Sequence, residues 1–394
     1  MVEATRHTDS RARHTVIDTL IKRGRLSPNM RHKYGDFGYE VLIGDCLETL
    51  KSLPADSVDC CITSPPYFNL RDYQTGTWDG GNDPDCDHKI PSSELDGKRT
   101  GEDLGSSHTI RFNRESCYKC GAKRKDKQIG LEDTFADYIE SMVGVMQEVR
   151  RVLKPTGTLW LNIGDSYNGS GGAGGDYAKG GLKEGQPKYG GHNDKNLKKK
   201  DLMMIPARLA IALQEDGWYL RSDIIWNKSN PMPESVKDRP TQTHEHIFLM
   251  SKCPHYYYDG DAIKEPAAQN RWGKKTPMNL DNVKGQVRGL SRERDMMPET
   301  RNKRNVWTVN TKPFKGAHFA VFPPELIEPC VLAGSPPSGV VLDPFGGSGT
   351  TAGVAIKHGR NAILCELNED YAALIPKRVE TIVGFAETGD VSWI

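Results

Sequence analysis

The chain has 394 residues, 36% of them hydrophobic, with 40 Gly, 24 Pro and a formal net charge of +1. That length suits one large α/β domain with insertions, or two domains, and the glycine and proline content predicts a single ordinary core carrying long polar loops. No run of about 18 apolar residues is present, which excludes a membrane span, and the polar N-terminus lacks the apolar core of a signal peptide. Nine cysteines, odd in number and irregularly spaced, point to a reducing, cytoplasmic compartment rather than a disulfide scaffold. Overall charge carries no sign of nucleic acid, but its distribution does. The first 35 residues hold Arg6, Arg11, Arg13, Lys22, Arg23, Arg25, Arg31 and Lys33 against Glu3, Asp9 and Asp18, and 270–304 holds ten Lys/Arg. Local basic excess of this kind suits a phosphate backbone; a solvated loop is the plain alternative for each stretch.

Residues 1–38 show weak periodicity and read as a basic arm or short helical lead-in. Val41-Leu42-Ile43 is an apolar strand ending at Gly44-Asp45, and Val58–Thr63 is a second, stopped abruptly by Ser64-Pro65-Pro66-Tyr67. From 71 to 129 the composition is polar. Phe135, Ile139, Met142, Val143, Met146, Val149 and Val152 then recur at helical spacing, and Lys154-Pro155-Thr156-Gly157 closes that helix. Thr158–Ile163 reads as a buried strand, 164–191 as a glycine-rich loop, 203–215 as a helix, and Ile224–Trp226 and Ile247–Met250 as strands. A loop-like basic segment precedes a final β-α-β-α run: Val340–Leu342, a helix to about 358, Ala362–Cys365 and a helix from 369. Strands alternating with helices imply a Rossmann-like, doubly wound, mostly parallel α/β sheet.

Two turns carry chemistry. Asp343-Pro344-Phe345-Gly346-Gly347-Ser348-Gly349-Thr350-Thr351 joins a strand to a helix, and Glu366 ends the next strand. Glycines there let backbone approach a ligand at the strand's carboxyl end, and Glu366 stands where a carboxylate grips ribose hydroxyls. The pattern is neither G-x-G-x-x-G nor a P-loop, which disfavours both NAD and a phosphate cradle. The second turn is Ser64-Pro65-Pro66-Tyr67. Two prolines fix φ and remove two donors, so the turn presents acceptors. An exocyclic base amine is a poor nucleophile because its lone pair is delocalised. Accepting its N–H groups at Ser64 Oγ and the Pro65 carbonyl would localise that lone pair, while Tyr67 offers a ring face to an extruded base. The plain alternative, a structural Pro-Pro turn, is common alone and uncommon beside the cofactor turn.

These two motifs resemble the catalytic and cofactor motifs of prokaryotic and phage amino-DNA methyltransferases, S-adenosylmethionine-dependent enzymes of the N4-cytosine/N6-adenine type. The catalytic motif comes first, the permuted order of the β group. Gly44-Asp45-Cys46 resembles the segment before the catalytic strand. Trp226-Asn227-Lys228-Ser229-Asn230-Pro231 is similar to the target-base motif, and His318-Phe319-Ala320-Val321-Phe322-Pro323 to the motif leading into the cofactor turn. The resemblance implies Ser64, Pro65, Pro66 and Tyr67 as catalytic. It implies Asp45, Thr63, His318, Phe319, Pro323, Asp343, Phe345, Gly346, Gly347, Ser348, Gly349, Thr350, Thr351 and Glu366 as cofactor-binding. In that family Ser at the first position goes mostly with cytosine N4, so Ser64 favours cytosine over adenine N6.

Cys86-x-His88 and Cys117-x-x-Cys120 supply four ligands in two close pairs for a structural zinc, with His108 as a competitor for His88 and chance thiols as the plain alternative. Cys60 and Cys61 read as core. Arg239 and His244-Glu245-His246 read as structural. The expected organisation is an arm at 1–38, a permuted catalytic domain at 39–70 and 130–394, a zinc-knuckle insert at 71–129 and a target-recognition insert at 260–312. The expected partner is double-stranded DNA, with a cognate restriction endonuclease in a restriction-modification setting, no membrane, and a monomer or homodimer. An RNA or protein-amide methyltransferase and a non-catalytic DNA-binding module of the same fold are the rivals; labelled methyl transfer to DNA separates them.

Overall fold

The computed structural model describes residues 30–68, 70, 73, 75–83, 85–86, 116–117, 119–169, 194–231, 233–234, 236–267, 299–312 and 321–384. The strands are β1 (Met30–Tyr34), β2 (Phe37–Ile43), β3 (Val58–Thr63), β4 (Thr77–Asp79), β5 (Lys123–Lys125), β6 (Leu153–Ile163), β7 (Tyr219–Asn227), β8 (His244–Ser251), β9 (Glu265–Pro266), β10 (Thr300–Arg301), β11 (Val306–Thr308), β12 (Val340–Asp343) and β13 (Asn361–Glu366). The helices are α1 (Cys46–Ser52), α2 (Phe135–Val152), α3 (Ile205–Glu215), α4 (Pro324–Gly334), α5 (Thr350–Lys357), α6 (Glu369–Ala372) and α7 (Ile375–Val383).

Nine strands form one sheet in the order β1-β2-β13-β12-β3-β6-β8-β7-β11. From β2 to β6 every neighbour is parallel, whereas β8 is antiparallel to both β6 and β7. The parallel strands are near-continuous apolar runs because helices cover both faces. One core cluster joins α1, α2 and α3 to the sheet through Leu50, Met142, Met146 and Leu209. The other joins α4, α5 and α7 through Leu326, Val331, Val354 and Val379. Helix α2 forms where the three-four spacing predicts: Thr134 caps it by accepting from the Asp137 amide, and Tyr138, Met142, Val145, Met146, Val149 and Val152 are buried.

Three expectations are corrected. The end of the supposed arm is sheet: β1 pairs with β2 through the Gly35-Asp36 turn, where Gly35 has φ +60°, and His32 stacks on Tyr39. Polar Met30–Tyr34 gives no strand signal because it lies at an edge. Lys154–Gly157 continues as strand in β6 rather than closing the helix, with α2 ending directly into it. The 260–312 insert is partly sheet, since β11 runs parallel to β7 and Trp307 packs near Trp160 with ring centroids 6.4 Å apart. Residues 268–298, the most basic part of that insert, and 170–193 of the glycine-rich loop lie outside the described residues.

Candidate active site

Strands β3 and β12 are parallel neighbours, with Leu342 opposite Cys61, so they release their loops side by side. Thr63 Oγ1 donates to Asp343 Oδ1 at 2.6 Å across 280 positions of sequence. A cavity of about 800 Å³ opens on this rim and is lined from both turns. It lies outside the carboxyl ends of the strands, where open α/β sheets bind ligands, and its size falls within the usual ~300–1,000 Å³ of ligand pockets.

The Asp343 turn is fixed from behind. Asp343 Oδ1 accepts from Thr63 and from the Phe345 amide at 3.0 Å, and Oδ2 accepts from Thr351 Oγ1 at 2.6 Å. Burial raises the Asp343 carboxyl to about 6 against the pull of those three bonds. Thr63 and Thr351 are fully buried and orient Asp343 instead of lining the cavity. Gly349 caps α5 at φ +86°, and a Cβ there would stand 2.6 Å from Ile375 Cγ2. Gly349→Ala is therefore expected to lower stability by at least about 2 kcal/mol, from left-handed backbone strain plus overpacking, as measured by denaturant unfolding.

Asp45, Asp343, Phe345, Gly346, Gly347, Ser348, Thr350 and Glu366 line the cavity. Asp45 also caps α1 by accepting from the Glu48 amide. Glu366 accepts from the Gly347 amide at 2.7 Å through Oε2 and from the Asn368 amide at 2.9 Å through Oε1. Burial raises it to about 7, with both amides pulling the other way. Each oxygen keeps a lone pair for a vicinal diol. Ser348 Oγ is buried with no hydrogen-bond partner among the described residues, and a buried hydroxyl on a cavity wall calls for a polar ligand. Carboxylate, orphan hydroxyl and glycine turn together fit a nucleoside-bearing cofactor. Pro323 is buried at the start of α4, and its neighbour Phe322 lines the cavity. His318 and Phe319 lie outside the described residues.

Ser64, Pro65, Pro66 and Tyr67 form the facing wall. Ser64 Oγ donates to Tyr67 Oη in a long 3.4 Å contact, and Tyr67 Oη donates to Glu245 Oε2 at 2.6 Å. Lys228 Nζ donates to Glu245 Oε1, and Asn162 Nδ2 to Oε2 at 3.2 Å. Burial first, then the Glu245 charge, pushes the Tyr67 phenol well above its usual range, so it stays a neutral donor. The single Ser64 proton is engaged, and its lone pairs remain as acceptors. The Pro66 carbonyl accepts from the Tyr138 hydroxyl at 2.9 Å, and Pro65 lines the cavity beside it.

Trp226, Lys228, Asn230 and Pro231 also reach the cavity, with Lys228 Nζ 4.4 Å above the Trp226 ring. Glu245, which the sequence presents as structural, lines the cavity. Because β8 runs antiparallel, its amino end lies on the same rim as the carboxyl ends of its neighbours, and a charged residue there faces the cavity. A polar His244-Glu245-His246 triplet heading the apolar run of β8 is the available signal. Replacing the Glu245 carboxylate by an amide (E245Q) weakens the three charge-assisted bonds from Tyr67, Asn162 and Lys228, each about 1.5–3 kcal/mol. Turnover is expected to fall about ten- to a hundredfold with cofactor affinity unchanged, a kcat effect separable in steady-state kinetics.

Of the four residues expected to hold a metal, Cys86, Cys117 and Cys120 place their Sγ atoms within 4.8 Å of one another. His88 and His108 lie outside the described residues. Cys60 and Cys61 are fully buried core. Among the described residues no helix is long and apolar enough to cross a membrane.

The family model for N6/N4 DNA methylases, described as DNA methylase, matches residues 58–377. The chain is 41% identical over 341 residues to the Type II methyltransferase M.SmaI of Serratia marcescens, covering 86% of this chain and 90% of that one. It is 39% identical over 345 residues to the Type II methyltransferase M.Cfr9I of Citrobacter freundii, covering 87% and 88%. In structure it is similar to the PvuII DNA methyltransferase (cytosine-N4-specific), with a TM-score of 0.51, 17% identity and coverage of 87% and 89%.

Proposed function

The chain belongs to the N6/N4 DNA methylase family, and on that premise we propose that it is a Type II enzyme methylating the exocyclic N4 of cytosine in duplex DNA. The observation that carries this reading is one cavity with acceptors from the Ser64 turn on one wall and Glu366 and Ser348 on the other. S-adenosylmethionine, when bound, supplies an electrophilic methyl carbon. Glu366 would hold the ribose diol, Ser348 and the glycine turn the rest of the nucleoside and amino-acid portions, with Asp45 and Phe345 closing the sides. Ser64 itself favours cytosine, through the family's pairing of Ser at that position with N4.

The target base must leave the stack to reach this cavity, at a cost of a few kcal/mol. Tyr67 offers the flipped ring a stacking face, and Lys228 and Trp226 border the same space. Ser64 Oγ and the Pro65 carbonyl accept the two amine N–H groups and draw the nitrogen towards tetrahedral geometry. Acceleration comes from positioning and lone-pair localisation, and the amine proton leaves after transfer, so no strong base is needed. The basic stretches at 1–35 and 270–304 would hold the phosphate backbone. A cognate restriction endonuclease sharing the recognition sequence fits this role. Incubation with tritiated-methyl cofactor is expected to label duplex DNA and leave RNA and protein unlabelled. Label in RNA or protein, or in neither and not in DNA, would overturn the reading.

A further inference from the structure

A second cluster lies beside the active-site wall, at the β4–β5 hairpin. We propose that Cys86, Cys117 and Cys120 supply three thiolate ligands to one tetrahedral zinc ion, and that this ion fixes the hairpin whose base forms part of the active-site wall. The site is independent of the methyl-transfer reading. The three Sγ atoms lie within 4.8 Å of one another, and Cys86 Sγ to Cys117 Sγ is 3.8 Å. A tetrahedral zinc with Zn–S bonds of about 2.3 Å has S···S edges of roughly 3.8 Å. A disulfide would require about 2.05 Å.

The backbone is shaped to converge the thiols. The Gly121 amide donates to the Cys117 carbonyl at 2.8 Å, and the Cys117 amide to the Ala122 carbonyl. Gly121 takes φ +74° to make that turn. From the other arm, the Asn82 amide donates to the Cys120 carbonyl at 2.8 Å. Gly81, at φ +101°, passes so close that a Cβ there would stand 3.0 Å from Cys120 Sγ. Cys117 and Cys120 are 4% and 3% exposed.

Size argues the same way. Among the described residues the hairpin's apolar cluster is Cys117, Cys120 and Ala122, with Trp78 and Cys86 half-buried against it. So small a core cannot hold a two-stranded ribbon in water, whereas a metal-thiolate site contributes folding free energy directly. The hairpin continues into the active-site wall: Lys127, Gln128 and Ile129 line the cavity. Gln128 Oε1 accepts from the Tyr73 amide at 2.7 Å and Asp126 Oδ1 from Thr75 Oγ1 at 2.9 Å. The Tyr73 carbonyl accepts from Asn368 Nδ2 at 3.4 Å, next to the Glu366 grip. A clamp on the hairpin therefore stiffens the wall beside the cofactor.

The test uses the full chain purified without chelator. Elemental analysis is expected to give one zinc per chain. Replacing zinc by Co²⁺ is expected to produce thiolate-to-cobalt charge-transfer bands and the intense visible bands of tetrahedral cobalt. In Cys117→Ser and Cys120→Ser the metal content should fall to background. Chelation should open the β4–β5 hairpin to proteolysis while β3–β12 core peptides stay protected. Absence of stoichiometric metal together with no cobalt-thiolate bands would overturn the proposal, as would full metal retention in the Cys117→Ser/Cys120→Ser double variant. The cobalt spectrum is read on the unaltered protein, so a variant that fails to fold does not remove the test.

Discussion

Ser64→Ala is expected to reduce methyl transfer by about 10³-fold or more while leaving cofactor affinity within about twofold. The magnitude follows from removing one preorganised hydrogen-bonding group aimed at the reacting atom, which typically costs 10²–10³ in kcat. It stands at the upper end here because Ser64 Oγ is the acceptor proposed to meet the reacting nitrogen itself, and the neighbouring Pro66 carbonyl already holds the Tyr138 hydroxyl. The ribose-gripping carboxylate and the Asp343 turn lie on the facing wall, tied by their own hydrogen bonds, so binding survives. Calorimetric titration of the cofactor beside single-turnover transfer separates the two quantities. Retained turnover would remove Ser64 from the chemistry.

Glu366→Gln is expected to weaken cofactor binding about ten- to a hundredfold, the worth of one to two hydrogen bonds to a charged group, and to erase a pH dependence present in the parent protein. Burial lifts the Glu366 carboxyl from 4.5 to about 7. A diol donating two O–H bonds and a cationic sulfonium both favour the ionised form. Below about pH 7 binding must release a proton, so affinity falls up to tenfold per pH unit and levels off above it. The ligand-free protein shows the opposite sense. A carboxyl whose folded pKa is raised contributes stability that is full below its unfolded value of 4.5 and is lost as pH rises through about 7. Asp343, raised from 3.8 to about 6, acts in the same direction over a lower window. Cofactor affinity that stays flat between about pH 5.5 and 8 in the parent would contradict the Glu366 assignment.

Much of this site is readable in the chain because its two turns punctuate apolar runs. Val58–Thr63 into Ser64-Pro65-Pro66 and Val340–Leu342 into the glycines at 346, 347 and 349 are strand ends, and parallel strands place all such ends on one rim. What the sequence hides depends on direction and on edges. Glu245 faces the cavity because β8 is reversed, and an apolar run does not disclose which way it points. Among the described residues strands β1 and β11 are edge elements with one pairing partner each; β1 is mostly polar and β11 only three residues long, so neither gives a periodic signal. Thr63 and Thr351 carry the motif's spacing, yet spacing does not tell a residue on the wall from one bonded behind it. The ligand set is legible as a Cys-x-His and a Cys-x-x-Cys pair, and its three described members, Cys86, Cys117 and Cys120, converge.

The central claim is that a base amine and a methyl donor meet between the Ser64 turn and the Glu366 wall, with cytosine as the base. The most direct measurement is mass identification of the labelled nucleoside after complete digestion of duplex DNA methylated by the protein. The account predicts N4-methylcytosine carrying all of the label, and none from DNA treated with Ser64→Ala. Label in N6-methyladenine would contradict the choice of base, and label in 5-methylcytosine would contradict the amine chemistry itself.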